Sequence, residues 1–314
     1  MNLYKSLIFI LYLGIFLGSG FRTPAQSRDS ITLYGTLDTV QVIRQRIQHA
    51  NEANAGARVT HISPAILQAN KTRSLAELLT DHTSIYIKSL GTGALSTASF
   101  RGTSASQTRV NWNGINITPP LSGTFDFSQI PVFFTDNINL YYGSSHVKNG
   151  TGAIGGSVNL FTDTDWNRGV NGRVLAEYGS YNTYTVGGQA NISGNKSASK
   201  TRLYYQHSDN DYTYLNKVLT NIPFREKRQD AAYSQFGIMQ EGYFRVSPYT
   251  RLTAVAWYQK NHRNLPQPLG VVNRSQEDQE ENNFRGYAGL DFSRGIHELH
   301  VKAAWLYFCQ TYDI

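Results

Sequence analysis

Hydrophobic and polar residues alternate in two different textures along this chain of 314 residues. From Trp166 onward the alternation is long and regular. Arg173 and Glu177 fall on one face of a strand whose other face carries Val174, Ala176 and Tyr178, while His300 and Lys302 oppose Leu299, Val301, Ala303, Trp305 and Tyr307. This period predicts strands over 169–179, 183–193, 199–211, 233–247, 250–262, 281–293 and 297–311. The apolar face of such a strand packs either on a second sheet or against lipid, so length and connections decide. Globular strands run about five or six residues, whereas a tilted membrane-crossing strand needs about 9 to 11. Most strands here belong to the longer class. Tight connections at 179–182, 194–198, 248–249 and 294–296 are interspersed with long ones at 212–232 and 263–280, as in transmembrane barrels, and tyrosine and tryptophan near strand ends fit aromatic girdles. Because an open sheet would leave unpaired edges in lipid, these strands are expected to start a larger barrel, in a fragment or a truncated product.

Residues 26 to about 165 mix one short helix with short strands and glycine loops. Ser74-Leu75-Ala76-Glu77-Leu78-Leu79 opens with a capping box, Ser74 and Glu77 each satisfying a backbone donor at the helix start. Ile85 to Ile87, Arg109 to Trp112, Asn137 to Tyr141 and Ser157 to Phe161 read as strands, and Asn113-Gly114 between alternating residues is a hairpin turn. The result is a small α+β domain.

Within NGTGAIGGSVNLFT, Gly150, Gly152 and Gly155 spell G-x-G-x-x-G. A dinucleotide loop needs a helix after those glycines to hold the pyrophosphate, and here a strand follows. There is no G-x-S-x-G, and Asp81-His82 lacks a nucleophile neighbourhood. An enzyme is therefore not expected. A membrane barrel, whether importer, passive porin or adhesin, ranks ahead of a secreted nucleotide-dependent enzyme.

Lys5, the apolar run Leu7 to Leu17 and the small-residue site Thr23-Pro24-Ala25 predict a secretory signal peptide cut after Ala25. No later stretch approaches the roughly 18 apolar residues of a helical span. Cys309 is the single cysteine, which excludes an internal disulfide and fits a bacterial envelope protein. The formal net charge of +7 falls by two with the leader and is scattered; its longest basic cluster, Arg225-Glu226-Lys227-Arg228, is interrupted by an acid, so nucleic acid is not an expected partner. No cofactor is expected. His207, Asp209 and Asp211 share one strand face as an ordinary polar strand end, and Glu277-Asp278-Gln279-Glu280-Glu281 reads as a solvated external loop; a metal there would be Ca²⁺, bound weakly by hard oxygen donors.

Several segments together, SLAELL at 74–79, SFRGTSASQTRV at 99–110, WNGI at 112–115, IPVFFTDNINLYYG at 130–143 and GAIGGSVNL at 152–160, resemble the TonB-dependent outer-membrane receptors in order and spacing. The likeness covers about residues 37 to 314 and is strongest toward the cobalamin-receptor branch. It implies an α+β plug domain followed by an antiparallel transmembrane β-barrel of about 22 strands, of which this chain holds the first seven or so. It also puts active import ahead of a passive porin or adhesin barrel, since a passive pore has no use for a globular domain in its lumen. The organisation expected is a signal peptide at 1–25, an N-terminal segment at 26–42, a plug at 43–165 and the first part of the barrel at 166–314.

The resemblance also assigns roles. Asp38, Thr39, Val40, Gln41 and Val42 look like a TonB box, which pairs by strand addition with the TonB-ExbB-ExbD energy-transducing complex. Arg101, Gly102, Asn113 and Gly114 match the plug's structural motifs, with Arg101 expected to pair with a barrel carboxylate. Gly152, Gly155 and Gly156 would supply positive φ and close backbone approach before the first barrel strand. The plug loops Gly91 to Thr97 and Thr118 to Asp126 would face the external vestibule, with Gly91, Gly93, Ser122, Thr124, Phe125 and Phe127 as candidate ligand-facing residues and Ser128 as a further hydroxyl. The cargo implied is cobalamin, with a ferric siderophore or haem as the alternative, and a surface lipoprotein is a further expected partner. The implied location is the outer membrane of a Gram-negative bacterium. Departures from the family pattern are Gly143-Ser144 in place of Gly-Pro, Asn137 and Asn139 in place of an acidic-basic pair, and Asn113-Gly114 in place of Asp-Gly.

Overall fold

The computed structural model describes residues 58–120, 122–143, 153–218, 223–267 and 277–313, all within one compact unit spanning Ala53–Ile314. The segment 38–42 and Gly152 lie outside the described residues.

The N-terminal part builds a five-stranded mixed sheet from β1 (Arg58–His61), β4 (Thr108–Trp112), β5 (Ile115–Asn116), β6 (Asn137–Tyr142) and β7 (Gly156–Phe161), in the order β1-β6-β7-β4-β5. The central strand β7 runs parallel to β4 and antiparallel to β6. It is buried on both faces, so Val158 and Leu160 face an apolar core while Asn159 joins Ser157 and Asn111 in a polar ladder on the other side. Two helices, α1 (Pro64–Ala69) and α2 (Leu75–His82), accompany the sheet. Ser74 and Glu77 form the expected capping box at the start of α2, whose Leu75, Leu78 and Leu79 are buried. The chain at 73–75 is pinned to 130–132 by Leu75 N–H to Ile130 O at 2.7 Å and Val132 N–H to Arg73 O at 2.9 Å. A two-stranded hairpin, β2 (Tyr86–Ser89) with β3 (Ser96–Ser99), stands apart from this sheet. Asn113 and Gly114 take φ of 49° and 84°, the left-handed pair that a tight β4–β5 hairpin requires.

The C-terminal part is a seven-stranded antiparallel sheet of β8 (Gly169–Gly179), β9 (Thr183–Ser193), β10 (Ser197–Ser208), β13 (Tyr233–Ser247), β14 (Thr250–Asn264), β15 (Asp278–Arg294) and β16 (His297–Asp313), paired strictly in chain order. The short strands β11 (Thr213–Asn216) and β12 (Phe224–Lys227) form a hairpin inside the connection from β10 to β13. All seven strands lie within three residues of the expected bounds at both ends, and β8, β9 and β13 coincide with them. The acidic run expected as a loop instead lies mostly within β15, because Lys260 and Arg263 on β14 face it: Glu280 pairs with Lys260 at 2.9 Å, and Gln279 accepts from Arg263 at 3.1 and 3.0 Å.

This sheet is dry on the opposite face from a soluble sandwich. Across β8, β10, β13, β14, β15 and β16, the outward row reads Val174, Leu203, Ile238, Tyr258, Phe284 and Tyr307. One residue away, the inward row reads Arg173, Arg202, Met239, Trp257, Arg285 and Leu306. The outward row is apolar throughout, whereas the inward row mixes three arginines with Met239, Trp257 and Leu306 that pack on the N-terminal part, and a continuous apolar face turned outward is the arrangement of a membrane barrel wall.

Candidate functional site

The N-terminal domain sits against the inner face of the wall, and the polar contacts between them have a direction. Tyr204 Oη donates to Thr72 O at 3.0 Å, Gln235 Nε2 to Ser128 O at 2.9 Å, Asn210 Nδ2 to Thr92 O at 3.0 Å and Lys302 Nζ to Asn113 O at 2.6 Å. Gln259 donates to Gln129 O, and Asn261 Nδ2 to Gln129 Oε1 at 3.2 Å. In each of these contacts the wall supplies the N–H or O–H and the plug supplies an oxygen, usually a backbone carbonyl left over by a loop.

Across this interface Asp136 of the plug accepts from Arg202 and, at 3.0 Å, from Lys200. Arg202 is fully buried and also faces the fully buried Glu241 at 3.2 Å, to which Tyr243 Oη donates at 2.5 Å. Burial by itself would raise the Asp136 carboxyl, but Arg202 and Lys200 outweigh it and hold the group down to about 2. Lys71, buried and bonded to the carbonyls of Val132 and Thr135, is lowered to about 8, chiefly by desolvation.

Arg101 departs from expectation. Among the described residues it has no carboxylate partner; it is exposed, has a φ of 49°, and lies over the Tyr142 ring at 5.8 Å. The ion pairs between domains run the other way, with plug carboxylates Asp136 and Asp126 held by wall cations. Gly102 follows Arg101 with a φ of 78°. Gly155 and Gly156 do not adopt positive φ, which corrects that part of the expectation. Close approach is what needs them: a Cβ on Gly156 would lie 2.5 Å from Tyr141 O, and one on Gly155 would meet Thr103.

A cleft of mixed apolar and polar lining opens at the end of the sheet that carries the long connections, the end that faces outward in outer-membrane barrels. It encloses about 450 Å³ between plug and wall. Its plug side includes Leu90, Leu95, Ser122, Thr124, Phe125 and Ile130, and its wall side includes Gln279, Asn283, Gln310 and Tyr312. Arg228, Arg263 and Arg285 also line it, against the carboxylates of Asp126 and Glu281. Of the candidate ligand-facing residues, Ser122, Thr124 and Phe125 meet here. Phe127 does not: the 3₁₀ turn Phe127–Gln129, capped by Asp126, turns its ring into the core behind Phe125 at 5.2 Å. Ser128 is buried too and lines a neighbouring groove of about 170 Å³ with Gly91 and Gly93, where Gly93 lies against Tyr233.

His207 sits 3.0 Å from Asp209, whereas Asp211 pairs with Lys227 at 2.6 Å, so the three residues do not converge. The residues that sequence reasoning missed are Asp126, Arg263 and Arg285. Asp126 carried a weak signal, since Asp before Phe-Ser-Gln is a turn-capping pattern.

Residues 51–157 match the family model described as TonB-dependent Receptor Plug Domain. Over 135 residues the chain is 32% identical to the vitamin B12 transporter BtuB of Photobacterium profundum, an alignment covering 43% of this chain and 22% of that protein. The siderophore receptor PiuA from Acinetobacter baumannii superposes with a TM-score of 0.62 at 18% identity, over 83% of this chain and 37% of that one. The alcaligin outer membrane receptor FauA from Bordetella pertussis gives 0.61 at 14% identity, over 83% and 40%. The match thus spans about a fifth of the curated relative and about two fifths of each receptor. The two superpositions establish the fold.

Proposed function

From a chain that belongs to the TonB-dependent receptor family, in a branch resembling the vitamin B12 receptors, we propose a full-length protein that imports a corrinoid across the outer membrane of a Gram-negative bacterium. The observation that carries the reading is that the cleft is floored by the plug itself. A ligand seated there rests on the domain whose preceding segment, Asp38 to Val42, is the proposed attachment point of TonB-ExbB-ExbD by strand addition. Ligand occupancy and energy input therefore act on one movable body. The cleft mixes Leu90, Leu95, Phe125 and Tyr312 with the amides of Gln279, Asn283 and Gln310, which suits a large ligand that is apolar on its faces and rich in amides at its rim. A surface lipoprotein would cover the long connections.

A second reading, a ferric siderophore or another anionic chelate such as haem, draws support from Arg228, Arg263 and Arg285 in the cleft. The two are separated by equilibrium binding to the full-length receptor and by uptake in cells. Cyanocobalamin should bind at or below micromolar concentration. Val40→Pro should abolish uptake while leaving binding intact, because proline removes a backbone donor from the added strand, and Val40→Ala should change little. Binding of a ferric chelate with no detectable cyanocobalamin binding would replace the first reading by the second. Uptake unaffected by the proline would remove the coupling segment.

A further inference from the structure

We propose that Arg285 is an anion seat at the floor of the cleft, which takes an anionic oxygen pair, a phosphodiester or a carboxylate, of the incoming ligand. The seat rests on the reading of the cleft as the ligand site. Its evidence is an imbalance. Three cations of the inner wall are almost entirely buried: Lys200, Arg202 and Arg285. Two are compensated, since Asp136 serves both and Glu241 also faces Arg202. Arg285 is 2% exposed and has no carboxylate within ion-pair distance among the described residues. Glu281 acts on Arg285 only from beyond ion-pair distance, and a buried guanidinium with no directly paired carboxylate is costly, so an anion seated on it would complete the site.

The geometry leaves donor capacity on the guanidinium unused. Nη1 donates to Gln259 Oε1 at 3.0 Å, whereas Nε is buried without an acceptor. The plane is held over Trp257, with the guanidinium carbon 4.5 Å from the ring centroid, and Phe308 lies 5.8 Å away. Aromatic faces fix the orientation of the fork without using its donors. The side of the fork that carries the unpartnered Nε is the one a carboxylate or phosphate would engage, once side-chain movement uncovers it. The other arginines of the cleft are already engaged. Arg263 pairs with Asp126 at 2.7 Å and with Gln279, and Arg228 donates to Gln267 O at 3.1 Å. Glu281 lies outside ion-pair distance of Arg285, and its carboxylate accepts from Gln279. Gln259 continues from the seat to the plug by donating to Gln129 O, so an anion on Arg285 is two hydrogen bonds from the plug backbone.

The test uses the full-length receptor and three probes: cyanocobalamin, which carries a phosphodiester; dicyanocobinamide, a corrinoid lacking it; and ferric citrate, a carboxylate chelate. Affinity is measured by calorimetry, and melting of the unliganded receptor is recorded beside it. Arg285→Met should weaken an anionic probe roughly 10- to 100-fold, the range of a lost charge-assisted hydrogen-bond pair, and leave cobinamide unchanged. The unliganded variant should melt no lower than the native receptor, because an uncompensated charge has gone. If melting falls along with affinity, Arg285→Lys decides: partial affinity with restored melting supports the seat, and loss equal to that of Met assigns Arg285 a packing role and overturns it. Ferric citrate binding that depends on Arg285, without cyanocobalamin binding, keeps the seat and removes the corrinoid reading. Cyanocobalamin binding that ignores Arg285 does the reverse. Failure of both anionic probes to bind the native receptor also overturns the seat.

Discussion

The plug and the wall enclose different mixtures of side chains. In the plug, Leu75, Leu78, Leu79, Val110, Val158 and Leu160 are enclosed, as in any small α+β domain. In the wall, the enclosed residues include Lys200, Arg202, Glu241, Gln259, Asn261 and Arg285, while Val174, Ile238, Leu252 and Trp305 are exposed. Both regions obey the same period of two along their strands. The period fixes which residues share a face, and the medium beyond each face decides which one is dry. Where the two regions meet they share an apolar cluster, Trp112 of the plug against Trp257 and Tyr287 and Phe133 and Phe134 against Tyr204, and wall donors grip plug oxygens as well. The plug is therefore docked by apolar burial as well as by hydrogen bonds and ion pairs, and only the polar share responds to charge and pH.

The largest effect should come from breaking the ion cluster that joins the regions. Arg202→Met would leave Glu241 buried beside Tyr243 without a cation and would take one of two cations from Asp136. Uncompensated buried charge costs about 3–5 kcal/mol. The expected outcome is a full-length receptor whose barrel still resists SDS at room temperature while α2 of the plug loses hydrogen-exchange protection. Unchanged protection would mean that the carbonyl and apolar contacts hold the plug without it.

The sequence was informative where the determinants are local. Ser74 and Glu77 announce a helix start, Asn113-Gly114 a tight turn, and 169–179 and 183–193 their strands, because each signal lies within one element or one hairpin. What was hidden depends on distance or on atoms common to all residues. Asp136 and Arg202 are 66 positions apart with no periodic relation. The wall's grip falls mainly on carbonyls, such as those of Thr72, Asn113 and Ser128, which no side-chain pattern reveals. Phe127 reads with Phe125 as a ligand-facing aromatic, yet one 3₁₀ turn directs its ring into the core. The run Glu277 to Glu281 reads as a loop until Lys260 and Arg263 on the adjacent strand are seen opposite it.

The inversion itself can be tested by a one-residue step. Arg202 is tolerated on the inner face, so Leu203→Arg places the same side chain at the neighbouring outward position. If that face meets hydrocarbon, the change should destabilise the full-length barrel by about 2–4 kcal/mol near the bilayer midplane. Urea titration of folding into phosphatidylcholine vesicles measures it. An effect below about 1 kcal/mol would mean that this row lies near an interface or against protein.

The smallest effect should be the response of the interface to acid. The folded pKa of Asp136 is about 2, below its ordinary value of 3.8, so the folded state favours the carboxylate. A depressed acid contributes stability that is fully present above the ordinary value and is lost as pH falls through the folded one. The window is therefore roughly pH 4 down to pH 2. Over it the plug should lose up to about 2 kcal/mol of docking strength, because a shift of one unit corresponds to about 1.4 kcal/mol. The loss is bounded because Lys200 keeps the carbonyl of Asp163 and Arg202 keeps Glu241 when Asp136 is protonated. Asp136→Asn should weaken protection of α2 at pH 7 and flatten its decline between pH 4 and pH 2. A variant that declines as steeply as the native receptor would place the acid sensitivity on another carboxylate, with Asp126 against Arg263 the next to replace.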